Sequence, residues 1–190
     1  SSSCAGKQAY ICAHNAASAY ARVITDIMPK WTFVPSEALA LPDMHAHDMY
    51  GHYCLSRAIA YQSVGKADLL CNDSAQEVAA ANAAHMFTVA AQLIDGDTTS
   101  MLARAQECTA QVLCLRGKRY LQQWDDDQDP EGAAKALACY QEAHERFIDA
   151  GMPGCQNEVD FAYERNQVHW LNPVLPNFKD MLRPRITPLR

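Results

Sequence analysis

The chain has 190 residues and a mass of 21.0 kDa, enough for one domain with a substantial buried core. Its formal net charge of −6 and its pI near 5.6 argue against a general attraction to nucleic acid or to anionic lipid. No apolar run approaches the roughly 20 residues of a membrane-spanning helix, and no signal-peptide pattern is present. We therefore expect a soluble protein with no transmembrane segment.

The many alanines and the few runs of β-branched residues favour an all-α fold, of about six helices. The first helix is indicated by apolar residues that recur every three or four positions from Tyr10 to Ile27. We expect it to end before the three prolines of the loop at residues 29–42. Trp31 and Phe33 in this loop are interpreted as packing residues that hold the loop against the core.

Capping signals delimit the next two helices. Asp43 is the predicted N-cap of a helix that Gly65 closes. Ser74 and Glu77 have the spacing of a capping box, S-x-x-E, and predict a further helix that ends at Gly96.

The central helix is predicted from about Thr98 to Trp124, and it contains the run MLARAQECTAQV. Small residues on more than one side allow neighbouring helices to approach it closely, so we expect the other helices to pack around it. The stripe that faces the core is predicted to be Leu102, Ala105, Thr109 and Val112.

Apolar residues in the second half of this helix exceed one stripe. They are Leu113, Leu115, Tyr120, Leu121 and Trp124. We favour burial of the helix on two sides as the explanation, and a partly exposed patch is the alternative. On that alternative, Leu115, Tyr120 and Trp124 are candidate contacts for a partner protein.

An acidic turn at residues 125–131 precedes the fifth helix and lacks the glycine and spaced ligands of a calcium loop. Asp129 and Pro130 are the expected N-cap and first residue of this helix, which ends at Gly151. With the central helix it is predicted to form a TPR-like hairpin, although no TPR-length repeat recurs. The residues that follow the TPR pattern are Gly117, Tyr120, Ala136, Tyr140 and Ala143.

A last helix is predicted at about residues 156–167, and the helical domain is expected to span residues 1–168. The remainder, residues 169–190, contains four prolines and is expected to lie extended. We interpret it as a strap that binds other protein subunits, because prolines lower the entropy lost on ordering and its basic residues suit an acidic surface. Its candidate contacts are Trp170, Phe178, Arg183 and Arg185.

Histidines and cysteines give no strong signal for chemistry. His45, Asp48 and His52 share one helix face, but a fourth ligand is lacking, so solvated histidines are favoured over zinc. The eight cysteines show no C-x-x-C spacing, and we expect reduced thiols rather than disulfides. No P-loop, G-x-S-x-G or H-E-x-x-H motif is present. We expect no catalytic residue, metal or cofactor.

Several segments resemble the BRO domain, the ESCRT-associated helical domain of Alix and its relatives. MLARAQEC is similar to the family's methionine-leucine-alanine-x-alanine-glutamine-glutamate run, and AAHMFTVAAQL to its alanine-alanine-x-x-phenylalanine stretch. LSRAIAYQSVG is similar to another family helix, with Arg57 where an asparagine is usual. VDFAYERNQV is similar to the closing signature, and the matching residues are Asp160, Phe161, Tyr163 and Val168.

The resemblance implies a small, shortened BRO-like solenoid. The chain lacks the family's N-terminal β-region and has no room for the hairpin that forms the family's groove for ESCRT-III helices. The implied function is a non-enzymatic scaffold, most simply an accessory subunit of a larger protein assembly. The alternative is an endosomal-sorting adaptor that binds ESCRT-III.

The expected location is a reducing intracellular compartment, either the cytoplasm or the endosome. The sequence begins with Ser1 rather than methionine, which fits a processed N-terminus or an engineered start. A processed N-terminus would allow an organelle such as the mitochondrion.

Overall fold

The computed structural model describes residues 2–27, 44–66, 72–96, 98–127 and 130–171. Within these ranges the chain forms helices and no strand, which confirms the expected all-α fold. The helices are α1 (Ser2–Ile27), α2 (Met44–Lys66), α3 (Asp73–Leu93), α4 (Thr99–Asp127), α5 (Pro130–Asp149) and α6 (Gln156–Leu171). In these ranges no helix is both long and apolar enough to cross a membrane. Trp31, Phe33 and the expected caps Asp43 and Asp129 lie outside the described residues.

The first and last helices are longer than the sequence pattern predicted. α1 begins at Ser2 rather than near Tyr10, since the polar start contains alanine, lysine and glutamine, which are good helix formers. α6 continues to Leu171, past the predicted boundary at residue 168. The first three residues of the predicted extended tail are therefore helical, and residues 172–190 lie outside the described part.

α3 begins with a different cap from the predicted one. The Asn72 side chain, not that of Ser74, accepts a hydrogen bond from the Ala75 amide at 2.7 Å. The Glu77 carboxylate pairs instead with Arg116 of α4 at 2.7 Å. The predicted capping box is therefore wrong, because an asparagine two residues earlier already satisfies the helix terminus.

The end of α5 is a Schellman motif, and the predicted stop at Gly151 is confirmed. The Met152 amide donates to the Phe147 carbonyl at 2.8 Å, and the Gly151 amide donates to the Ile148 carbonyl at 2.9 Å. Gly151 has a φ angle of 72°, a left-handed conformation that glycine adopts without a Cβ clash.

Each helix packs mainly against the helices that precede and follow it in the chain. Two core clusters, around Tyr50 and Phe87, fill the half that contains α1 to α3. Two further clusters, around Tyr140 and Cys155, fill the half that contains α5 and α6. α4 contributes buried residues to all four clusters, in agreement with its predicted central position.

The buried stripe of α4 differs from the predicted one at its start. Leu102 is 46% exposed, so its predicted place in the stripe is wrong. Thr109 is half-buried, and its hydroxyl donates to the Ala105 carbonyl at 2.8 Å. The buried residues at helical spacing are Met101, Ala105, Cys108 and Val112.

Two glycines allow α4 and α5 to approach each other closely. A Cβ atom at Gly117 would lie 2.9 Å from the Tyr140 ring. A Cβ atom at Gly132 would lie 2.9 Å from the Tyr120 carbonyl oxygen and 3.0 Å from Trp124 Cβ. The second contact involves backbone, which cannot move away as a side chain can.

We predict that Gly132→Ala destabilises the protein by about 1–3 kcal/mol, because the added methyl group overpacks the helix crossing. Urea unfolding followed by circular dichroism measures this change. Ala138→Gly, at an exposed position on the same helix, is the control. It should cost only the ordinary difference in helix propensity, roughly 1 kcal/mol. Stabilisation by Gly132→Ala would show that the two helices do not approach as described.

Candidate functional site

A groove on the surface of the helical stack is the candidate site. It comprises two adjacent cavities that share Tyr61, and we refer to it as the Tyr61 groove. The first, the amide cavity, has a volume of about 360 Å³ and is lined by α2, α3, α4 and α5. The second, the arginine cavity, has a volume of about 330 Å³ and is lined by α1, α2 and α3.

The amide cavity combines apolar walls with three side-chain amides, those of Gln62, Gln76 and Gln111. The remaining walls are Tyr61, Ala80, Cys114, Leu115 and Phe147. A largely apolar depression with a few convergent polar groups is the usual composition of a binding site, because the apolar surface gives affinity and the polar groups give orientation.

A buried carboxylate holds two of these amides in place. Glu107 Oε2 accepts a hydrogen bond from Gln62 Nε2 at 3.0 Å, and its Oε1 accepts a longer one from Gln111 Nε2 at 3.4 Å. Glu107 is 7% exposed and Gln62 is 6% exposed. A hydrogen bond to a buried charge is stronger than one between neutral groups, so Glu107 fixes the orientation of both amides.

The arginine cavity contains one guanidinium group among aromatic and aliphatic side chains. Arg57 Nη2 donates a hydrogen bond to Tyr61 Oη at 2.6 Å, and its guanidinium carbon lies 4.9 Å from the Tyr61 ring centroid. Tyr10 and His14 of α1 and Val78 of α3 complete much of the lining. None of the described lining residues is acidic, so this end of the groove carries positive charge.

The structure separates the three candidate partner contacts of α4. Leu115 lines the amide cavity. Tyr120 is half-buried against the core cluster of Leu121, and Trp124 is 7% exposed with the Arg165 guanidinium 5.2 Å from its ring. The candidates in the tail, Phe178, Arg183 and Arg185, and the side chain of Trp170 lie outside the described part of the chain.

None of the five apolar residues in the second half of α4 is exposed, as expected for a helix covered on two sides. Elsewhere in the helix, Gln106 Oε1 accepts a hydrogen bond from Arg146 at 2.8 Å. The Arg104 guanidinium lies 5.4 Å from the Phe87 ring. The run MLARAQEC therefore supplies mostly internal contacts, together with the carboxylate beneath the amide cavity.

The amides of the groove are not among the site residues predicted from the sequence. One signal was available for Gln62, because it follows Tyr50, Cys54 and Ala58 at intervals of four in the buried stripe of α2. A polar residue at a buried stripe position requires a hydrogen-bonding partner. Its partner, Glu107, is 45 residues away, and no local pattern indicates that pairing.

The histidine cluster considered as a metal site does not form one within the described residues. His52 Nε2 lies 3.6 Å from Asp48 Oδ1, and the His52 ring stacks on Tyr20 with centroids 5.6 Å apart. The side chain of His45 lies outside the described part.

The six cysteines whose side chains the structure describes are free thiols. Burial, with a smaller contribution from the neighbouring Cys155 thiol, raises the pKa of Cys114 to about 12. Burial also raises the pKa of Cys54 to about 11. These thiols are protonated at neutral pH and are therefore poor nucleophiles.

We predict that Gln62→Leu lowers the free energy of unfolding by about 1.5–3 kcal/mol, because buried Glu107 loses a hydrogen-bond donor. Gln156→Leu is the matched control, since that amide donates to the Asp160 carboxylate at 2.8 Å on an exposed surface. The control should change stability by less than about 0.5 kcal/mol. Equal effects in chemical denaturation would contradict a special role for the buried pair.

Comparisons with known proteins do not assign the chain to a family. No family model matches it, and neither the curated proteins nor the solved structures give a significant match. The resemblance to the BRO domain therefore rests on the sequence motifs alone and stays a prediction.

Proposed function

We propose that the protein is a non-enzymatic helical scaffold, an accessory subunit that holds other proteins within a larger assembly. The observation that carries this proposal is the Tyr61 groove, to which α1 to α5 all contribute. An elongated polypeptide suits such a groove, because successive side chains can occupy the two cavities at once.

The chemistry of the groove favours binding over catalysis. Among the side chains that line the amide cavity, the Cys114 thiol is the best potential nucleophile. Burial raises its pKa and keeps it protonated. The Glu107 carboxylate accepts hydrogen bonds from Gln62 and Gln111 and is 7% exposed. Its surroundings orient amides rather than present an acid or base to a substrate.

Exposed apolar and charged residues lie on α3 and α4, two of the helices that line the groove. Val78, which lines the arginine cavity, is 58% exposed. Its sequence neighbour Glu77 pairs with Arg119 at 3.0 Å, and Asp73 pairs with Lys118 at 2.8 Å. An apolar centre with charged residues around it is typical of protein–protein interfaces.

The C-terminal strap is the second part of this proposal. Residues 172–190 include Phe178, Arg183 and Arg185, which suit an acidic partner surface with an apolar pocket.

Free thiols in the described part support a reducing intracellular compartment, either the cytoplasm or endosome or an organelle such as the mitochondrion.

The alternative proposal is an endosomal-sorting adaptor that binds ESCRT-III. Its support is the resemblance of MLARAQEC and VDFAYERNQV to BRO motifs. One observation favours retaining it: Phe161 and Tyr163, in the second motif, are 47% and 52% exposed. Exposed aromatic residues are frequent contacts for partner helices.

We predict that Leu115→Arg releases the protein from its native partners, because a charged side chain would enter the apolar part of the amide cavity. The measurement is affinity purification of the tagged full chain from its native source, with sizing and mass spectrometry. Leu102→Arg is the matched control, since Leu102 lies on the same helix, is 46% exposed and lines neither cavity. Thermal unfolding verifies that both variants fold.

Stoichiometric partners that are lost only with Leu115→Arg would support the scaffold. A 21 kDa monomer without partners would contradict it, as would a complex that tolerates both variants. Capture of ESCRT-III subunits alone, sensitive to Phe161→Ala and Tyr163→Ala, would favour the adaptor instead.

Deletion of residues 172–190 should weaken or abolish assembly without unfolding the described helices, since α6 ends at Leu171. Gel filtration of the native complex and circular dichroism of the truncated chain measure the two effects. Retention of the truncated chain in the complex would show that these residues are not a strap.

A further inference from the structure

We propose that the arginine cavity binds an acidic side chain of the partner polypeptide, with Arg57 as its cationic contact. An apolar side chain close to that carboxylate in the partner sequence would then occupy the amide cavity on the other side of Tyr61. This inference rests on the proposed docking function of the Tyr61 groove and specifies the chemistry of the segment that docks there.

The Arg57 guanidinium has an incomplete set of contacts in the described residues. This group has five N–H donors in a fixed plane. Within the described residues it makes one hydrogen bond, to Tyr61 Oη, and it forms no ion pair with a carboxylate. Donors remain for a ligand, and a carboxylate matches their geometry because it can accept two parallel hydrogen bonds.

The charge of this cavity is opposite in sign to the net charge of the protein. The chain has a net charge of −6, yet the described lining of this cavity contains Arg57 and no acidic residue. An acidic ligand is therefore attracted to this cavity although the net charge of the chain is negative. Such a local reversal of charge favours one orientation of a bound segment.

Apolar side chains line the cavity beside the guanidinium. Val64 and Val78 line the same cavity, and Val78 is 58% exposed. Tyr61 separates this cavity from the amide cavity, where Leu115 and Phe147 offer further apolar surface. A small carboxylate would fill one cavity and leave the other vacant, whereas a peptide with an acidic and an apolar side chain fills both.

The Tyr61 side chain couples the two ends of the groove. Its hydroxyl accepts the Arg57 hydrogen bond, while its ring forms part of the wall of both cavities. Tyr61 thus holds the guanidinium in place before any ligand arrives, which lowers the entropy lost on binding.

A selection of random peptides on the full chain tests the proposal. We expect enrichment of peptides that carry Asp or Glu close to an aromatic or large aliphatic residue. Fluorescence polarisation then measures the affinity of a selected peptide for the wild-type chain and for Arg57→Gln. Loss of the charge-assisted hydrogen bonds should weaken binding roughly 10- to 100-fold.

Arg104→Gln is the matched control. The Arg104 guanidinium also lies over an aromatic ring, 5.4 Å from the Phe87 centroid, but it lines neither cavity. It should leave peptide affinity unchanged within about twofold, because a solvent-screened charge that lines neither cavity contributes little. Thermal unfolding of both variants separates a binding defect from a folding defect.

A double-mutant cycle identifies the contact itself. The acidic residue of the peptide is replaced by its amide, and binding to wild type and to Arg57→Gln is measured again. If the two groups touch, the peptide change has little further effect on the Arg57→Gln protein. Additive losses would show that the carboxylate binds elsewhere and would overturn the proposal.

The remaining outcomes distinguish this inference from the proposed function. Peptides that lack acidic residues and are insensitive to Arg57→Gln, but lose binding with Leu115→Arg, would overturn the carboxylate contact and leave the docking groove supported. Failure to select any peptide that depends on Leu115 would overturn both. Hexanoate binding as tight as peptide binding, with the same dependence on Arg57, would indicate a small-molecule site and would also overturn the proposal.

Discussion

The hydrogen bond between buried Glu107 and Gln62 is the contact on which the candidate site depends. It joins α4 to α2, and both helices also pack against α3. Gln62 and Gln111, which hold the carboxylate, line the amide cavity together with Gln76. A buried carboxylate requires such hydrogen-bond donors. The same contacts therefore stabilise the protein and position side chains of the groove.

Small residues around α4 make this arrangement possible. Gly117 and Gly132 allow α4 and α5 to approach each other closely. Ala105 and Cys108 of α4 pack in a buried cluster with residues of α2 and α3. Neighbouring helices cover the central helix closely. The larger side chains of Leu115 on α4 and Phe147 on α5 line the amide cavity. Small side chains therefore give tight packing around the central helix, and larger side chains leave the space of the amide cavity at the surface.

The helices could be predicted from sequence because their periodicity and terminators are local. The stop at Gly151 needs only glycine, which adopts the left-handed conformation there. The observed cap of α3 differs from the predicted one because Asn72 and Ser74 are both good caps, and Glu77, the capping-box partner of Ser74, pairs with Arg116 instead. The groove could not be predicted, since residues from five helices form it and their pairing depends on tertiary contacts.

The neighbour-to-neighbour order of helix packing also affects how the chain folds. Contacts between helices that are close in sequence give a low contact order, which is associated with fast folding because short loops cost little entropy to close. Terminal elements of such a stack can open without disrupting the rest. α6, which packs mainly against α5, is therefore a natural first unit to detach.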